Sequence, residues 1–204
     1  MKNLLLLSSL LISGLFFSQQ MQAQNGRFLE HVSLEAGWGL NVPVAPSNGI
    51  STSDFMGVQS FYVGANYELN ELWGLRGTYA YNGFEHKNHS SQKLTLHKLM
   101  AEATLNLGNA FSSGYGFSAF NVIAHAGLGM SMGENKNYSG KDWMANFQIG
   151  VMPTYKISEK VGLLLDLVYV VNFDHDFPYG DVASGKSTGG YFLANVGVNI
   201  NLGR

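Results

Sequence analysis

Gly190-Tyr-Phe-Leu-Ala-Asn-Val-Gly-Val-Asn-Ile-Asn-Leu202 alternates apolar and polar residues along most of its length. Phe192, Ala194, Val196, Val198, Ile200 and Leu202 fall on one side, and Asn195, Asn199 and Asn201 on the other. Successive side chains of a β-strand point to opposite faces, so a period of two describes a strand with one apolar face. The polar set decides what kind of strand. Water-facing positions favour Lys and Glu, whereas these are asparagines and a glycine, small neutral groups suited to a crowded interior. The apolar face is therefore expected to point outward.

Seven earlier blocks repeat this pattern: Phe28–Val42, Phe55–Leu69, Leu72–Phe84, Leu94–Leu107, Phe117–Met130, Trp143–Lys156 and Val161–Phe173. In the first, Leu34, Ala36, Trp38 and Leu40 oppose Glu35, Gly37 and Gly39; in the fourth, Leu99, Ala101, Ala103 and Leu105 oppose Lys98, Met100, Glu102 and Thr104. The links alternate in length. Asn41–Asp54, Glu85–Lys93, Ser131–Asp142 and Asp174–Gly189 read as long polar loops; Asn70-Glu71, Gly108–Gly116 and Ile157–Lys160 are shorter. Short turns on one side and long loops on the other are the signature of bacterial outer-membrane barrels.

Composition points the same way. Charged residues make up 13% of the chain, about half the usual share of a soluble domain. The segment Val161–Phe173 is too short for a spanning helix and carries Asp166 at its centre. A membrane chain without spanning helices must satisfy its backbone between strands, which requires closure. The expected fold is all-β: an eight-stranded antiparallel up-and-down transmembrane β-barrel. Aromatic residues near the block ends suit headgroup girdles, with Phe28, Tyr67, Trp73, Phe117 and Tyr155 on one rim. Trp38, Tyr81, Trp143, Tyr169 and Phe173 lie nearer the other.

The N-terminus begins Met-Lys-Asn and continues apolar from Leu4 to Phe17. It reads as a secretory signal peptide over residues 1–23, cleaved after Ala23, with the barrel occupying 24–204. The chain has no cysteine, which excludes a lipoprotein anchor, disulfides, thiolate metal sites and a cysteine nucleophile. A net charge of −2 with no basic run excludes the footprint of a nucleic-acid binder.

His31-Val-Ser-Leu-Glu-Ala-Gly-Trp38, Leu72-Trp-Gly-Leu-Arg-Gly-Thr-Tyr79 and Ala194-Asn-Val-Gly-Val-Asn-Ile-Asn-Leu202, in an ordered set of eight blocks, resemble the OmpA-like family of eight-stranded outer-membrane barrels. The resemblance implies a bacterial outer-membrane location, a narrow lumen plugged by side chains, and structural or surface-interaction roles. It also implies contact with membrane lipid and lipopolysaccharide, handling by the barrel-insertion machinery, and a protein or surface-polymer partner at the external loops. Two departures stand out: no periplasmic peptidoglycan-binding domain follows the eighth block, and the chain ends Asn201-Leu202-Gly203-Arg204 instead of on an aromatic residue.

The inward-facing ionisable residues are Glu35, Arg76, Lys98, Glu102, His125 and Asp166. An unpaired charge in a tight lumen is costly, so a structural network is expected, with Arg76 paired laterally to Glu102. Three acids against two permanent bases suggest a protonated His125. The sharper alternative is a narrow ion channel. In the loops, His86, His89, Ser90 and Ser91 form one polar group, and Asp174, His175 and Asp176 another. Some eight-stranded outer-membrane barrels are lipid A acyltransferases or deacylases, so a lipid-modifying enzyme is the other alternative. Neither loop has a spacing that enforces a nucleophile–base pair, and alternate residues of Asp174-His175-Asp176 point opposite ways in an extended segment. No catalytic, cofactor or metal residue is therefore assigned.

Overall fold

The computed structural model describes residues 26–45, 51–111, 119–137, 139–176, 179 and 187–203. The expected leader, its cleavage site at Ala23 and the rim residue Phe117 lie outside these. Eight strands form one closed barrel in sequence order, β1 to β8. They are β1 (Val32–Ala45), β2 (Gly57–Glu68), β3 (Trp73–His86), β4 (His89–Asn106), β5 (Phe120–Asn135), β6 (Asp142–Lys156), β7 (Val161–His175) and β8 (Ser187–Asn201). Every neighbouring pair is antiparallel, and closure is made by β1 against β8, with Leu34 opposite Ile200 and Trp38 opposite Val196. Among the described residues, three single-turn helices accompany them: α1 (Gly26–Leu29), α2 (Thr52–Phe55) and α3 (Leu107–Phe111).

The period of two sets the two walls. Leu34, Val63, Leu75, Leu99, Leu128, Ile149, Leu165 and Val196 are exposed on the outside, one from each strand. A soluble protein does not expose an apolar belt of this extent; lipid is the solvent that makes it stable. Aromatic residues mark the belt's edges. Phe28 stacks on Tyr67 at 5.2 Å near the turn end, and Trp38 donates its indole N–H to the Val58 carbonyl at 3.1 Å toward the loop end.

The turn end is tight because side chains close it. Asn70 Oδ1 accepts the amides of Leu72 and Trp73, both at 2.9 Å, and Ser158 Oγ accepts that of Val161 at 3.1 Å. These are local Asx and Ser turns.

The loop end differs from the sequence expectation. Residues 85–93 are not a loop: β3 and β4 stay paired up to His86 opposite His89, leaving Lys87 and Asn88 as the turn. A tilted strand crosses lipid in about ten residues, and β4 has 18, so this hairpin stands clear of the apolar belt. Phe55, expected at the start of the second strand, instead ends α2 and is buried at 1% exposure.

The interior at this end also departs from the expected polar lumen. Phe55, Phe84, Leu94, Leu96, Met144, Val168, Val170, Tyr179, Tyr191 and Leu193 form a buried apolar cluster. Phe84 meets Tyr179 and Tyr191 edge-on at 4.9 and 5.3 Å. The cause is the solvent outside. Where the strands rise beyond lipid, the outer wall turns polar (Ser91, Lys93, Thr95), and the barrel needs an apolar core as any water-soluble domain does. A smaller cluster of Tyr62, Ala80, Met152 and Leu164, with Ile123 against it, packs lower in the lumen.

Candidate functional site

Arg76 lies three residues into β3, directly across the ladder from Glu102 of β4. Its guanidinium addresses three carboxylates from three other strands: Nε to Glu35 Oε1 at 2.5 Å, Nη1 to Glu102 Oε1 at 3.4 Å, and Nη2 to Asp166 Oδ2 at 2.8 Å. His125 of β5 takes the remaining oxygens, with Nδ1 at 2.6 Å from Glu102 Oε2 and Nε2 at 2.9 Å from Asp166 Oδ1. Each of those two carboxylates thus bridges Arg76 and His125, closing a four-membered ring of charges with Glu35 attached. All five side chains are at most 3% exposed.

Ionised carboxylates only accept hydrogen bonds, so an imidazole with a carboxylate oxygen at each nitrogen donates from both. His125 is then a cation, and two cations face three anions. Lys98 supplies the third positive charge but stands apart. Its Nζ donates to Gln148 Oε1 at 2.6 Å and lies 5.6 Å from the centre of the Tyr191 ring. Of the six inward ionisable residues, the structure therefore gathers five and separates Lys98. Two glycines leave room for the ring. A Cβ at Gly150 would collide with the His125 imidazole, and one at Gly64 would come within 2.8 Å of Thr78 Cγ2 and 3.0 Å of Glu35 Oε1.

Between this ring and the apolar cluster runs a neutral polar belt. Ser131 Oγ donates to Asn146 Oδ1 at 2.6 Å, Asn146 Nδ2 to Asn172 Oδ1 at 2.7 Å, and Ser60 Oγ to Asn82 Oδ1 at 3.0 Å. The lumen is therefore layered, with the charge ring and the small Tyr62–Met152 cluster toward the turn end, amides in the middle and the larger aromatic and aliphatic cluster at the loop end. Tyr179 belongs to the last layer, and burial pushes its phenol well above the usual tyrosine range, so it stays protonated.

The loop residues singled out in the sequence separate. His86 and His89 meet at the β3–β4 turn, Nδ1 to Nδ1 at 3.3 Å. His175 is buried against the Tyr179 ring, 5.8 Å between centres, beneath the surface it was expected to line. Asp176 donates its backbone N–H to Asp142 Oδ2 at 2.8 Å, and Asp174 adopts a positive φ of 63°. Among the described residues, no three His, Cys, Asp or Glu side chains converge as a metal-binding group.

No family model matches the chain, and no curated protein matches it. Solved structures do. Neisserial surface protein A is similar over 84% of this chain and 97% of its own, at 15% identity and a TM-score of 0.54. The N-terminal β-barrel domain of Pseudomonas aeruginosa OprF covers the same shares at 15% identity and a TM-score of 0.51. A major outer membrane protein from Thermus thermophilus matches 83% of this chain and 97% of its own, at 13% identity and a TM-score of 0.50. At these identities the likeness concerns the fold, and the fold is that of the small eight-stranded outer-membrane barrels.

Proposed function

We propose that this chain is a non-enzymatic protein of the bacterial outer membrane. Its barrel is an anchor, and its working surface is the rim that the long hairpin and loops raise above the lipid. The observation that carries this reading is the filled interior. A charge ring, an amide belt and an apolar cluster occupy the lumen in succession, so the barrel offers little path for solute, and the ring is a structural brace. Eight-stranded barrels have little interior space beyond their side chains.

The partners expected are membrane lipid and lipopolysaccharide along the belt, the insertion machinery during assembly, and a protein or surface polymer at the rim. Export through a leader ending at Ala23 belongs to the same reading.

A topology experiment tests it. Cysteines introduced singly at Asn88 in the hairpin turn and Glu159 in the β6–β7 turn would be exposed to a membrane-impermeant maleimide on intact cells. The natural chain has no cysteine to interfere. Labelling at position 88 alone is expected. Labelling at 159 alone would invert the orientation, and a protein soluble without detergent would end the membrane assignment.

A further inference from the structure

The tip of the β3–β4 hairpin holds a feature that an anchor or display role does not require. His86 and His89 flank the Lys87-Asn88 turn as a cross-strand pair, and such pairs project from the same face of the ribbon. Their Nδ1 atoms are 3.3 Å apart, and their ring centres 4.7 Å. Two imidazole nitrogens that each sit about 2.0–2.1 Å from a tetrahedral zinc ion are separated by roughly 3.3–3.4 Å. The pair therefore already has the spacing of two ligands sharing one ion.

The surroundings hold His86 in place. Lys87 donates its backbone N–H to the Asp54 carbonyl at 2.9 Å, tying α2 to the turn. The Phe55 ring meets the His86 ring edge-on at 5.1 Å, and Phe55 itself is buried in the apolar cluster. The Asp54 carboxylate lies 3.9 Å from His86 Nε2, on the side away from His89. At that distance it is not hydrogen-bonded to the ring; closing onto Nε2–H when an ion binds would orient the imidazole as carboxylates do behind metal-bound histidines. At present the Asn88 amide donates to His86 Nδ1 at 3.0 Å. An ion would displace that backbone hydrogen bond and the one between the two Nδ1 atoms, exposed bonds each worth about 1 kcal/mol net.

We propose that His86 and His89 form a two-histidine site for a late first-row divalent ion, with Asp54 as the positioning carboxylate. Imidazole selects Zn²⁺, Cu²⁺ and Ni²⁺ over Ca²⁺ or Mg²⁺, and Cu²⁺ binds such a site most tightly. Water or a group from a partner completes the coordination. The ion brackets the turn and stiffens its link to α2, the part of the hairpin farthest from lipid.

The test uses the untagged, refolded barrel in detergent. Titration with Cu²⁺ is followed by calorimetry and by electron paramagnetic resonance, with Zn²⁺ as competitor. One equivalent is expected to bind with the hyperfine pattern of two nitrogens, and only a large excess of Zn²⁺ is expected to displace it. His89→Ala should reduce the pattern to one nitrogen, and Asp54→Asn should weaken binding by roughly tenfold. His97→Ala is the control. That histidine contacts Tyr79 on the outer wall, and its loss should change nothing. If the double variant His86→Ala/His89→Ala binds Cu²⁺ as the natural chain does, the site is elsewhere and the proposal falls. It falls equally if the natural chain shows no stoichiometric binding. His89 lies at the turn while His86 packs on Phe55, so urea unfolding of the variants checks that the barrel itself is intact.

Discussion

Replacing Arg76 by methionine keeps most of the side chain's volume and removes its charge from the centre of the ring. At contact distances of 2.5, 2.8 and 3.4 Å and an effective dielectric near 20, each attraction is worth roughly 5–7 kcal/mol before desolvation. Desolvating each ion costs several kcal/mol, so the intact ring contributes far less than the sum. The variant is another matter, because three buried carboxylates would face His125 alone. Removing one partner of a buried ion network costs about 3–5 kcal/mol. The assay is reversible urea unfolding of the refolded barrel, read by tryptophan fluorescence. Because three carboxylates then share one imidazolium, removing two of the negative charges with Glu35→Gln and Asp166→Asn should recover much of the loss. A double-mutant cycle of Arg76→Met with Asp166→Asn should show a coupling of about 1–3 kcal/mol. A single variant within about 1 kcal/mol of the natural chain, or strictly additive losses, would show that the ring does not brace the barrel.

Lys98 offers the contrast, since its hydrogen-bonding partner is neutral. Lys98→Met should cost less than half of what Arg76→Met does in the same unfolding assay. Phe84 is fully buried among Tyr179 and Tyr191, so Phe84→Ala should destabilise by about 3–5 kcal/mol while leaving membrane insertion intact by flotation. Val196 is 62% exposed on the outer wall, five residues from the turn end of β8. Val196→Arg should cost about 2–4 kcal/mol, the penalty for a charge at mid-bilayer, whereas Ser91→Arg on the projecting part of β4 should cost almost nothing. Nitrogen-15 NMR of the folded barrel at neutral pH should find protons on both ring nitrogens of His125; a lone nitrogen without one would break the donor assignment in the ring.

The barrel was legible because its evidence is local. In β8, each outward apolar residue and each inward asparagine follows from the pleat alone, and the structure pairs them in that phase from Phe192 to Asn201. The inward charges could also be named one by one. Their grouping could not, because it depends on barrel register. Arg76 reaches Glu102 across one ladder, but its bonds to Glu35 and Asp166 span 41 and 90 residues of sequence. No spacing encodes those distances. Gly150 was equally silent, since an inward glycine means little until the His125 ring is seen to occupy its place.

The loop end carried a signal that a single-phase reading overlooks. Along β4, Ser91, Lys93 and Thr95 alternate with Leu94 and Leu96, and then Leu99, Ala101, Ala103 and Leu105 alternate with Met100, Glu102 and Thr104. The apolar set moves from even to odd positions between Leu96 and Leu99. In a strand of constant direction such a switch cannot come from the pleat, which shows the same face to the lumen throughout. It records a change of solvent on the outer wall, from lipid near Leu99 to water near Lys93. Treating residues 85–93 as a loop hid the switch, because the polar outward positions read as loop composition and Leu94 and Leu96 then had no face to belong to. β3 repeats the feature across the hairpin: Tyr79 lies on the outer wall, while Phe84 is buried inside. The place where the phase inverts thus marks the upper edge of the bilayer on this hairpin, and every residue beyond it, His86 and His89 included, is carried on a packed, water-facing extension of the barrel wall.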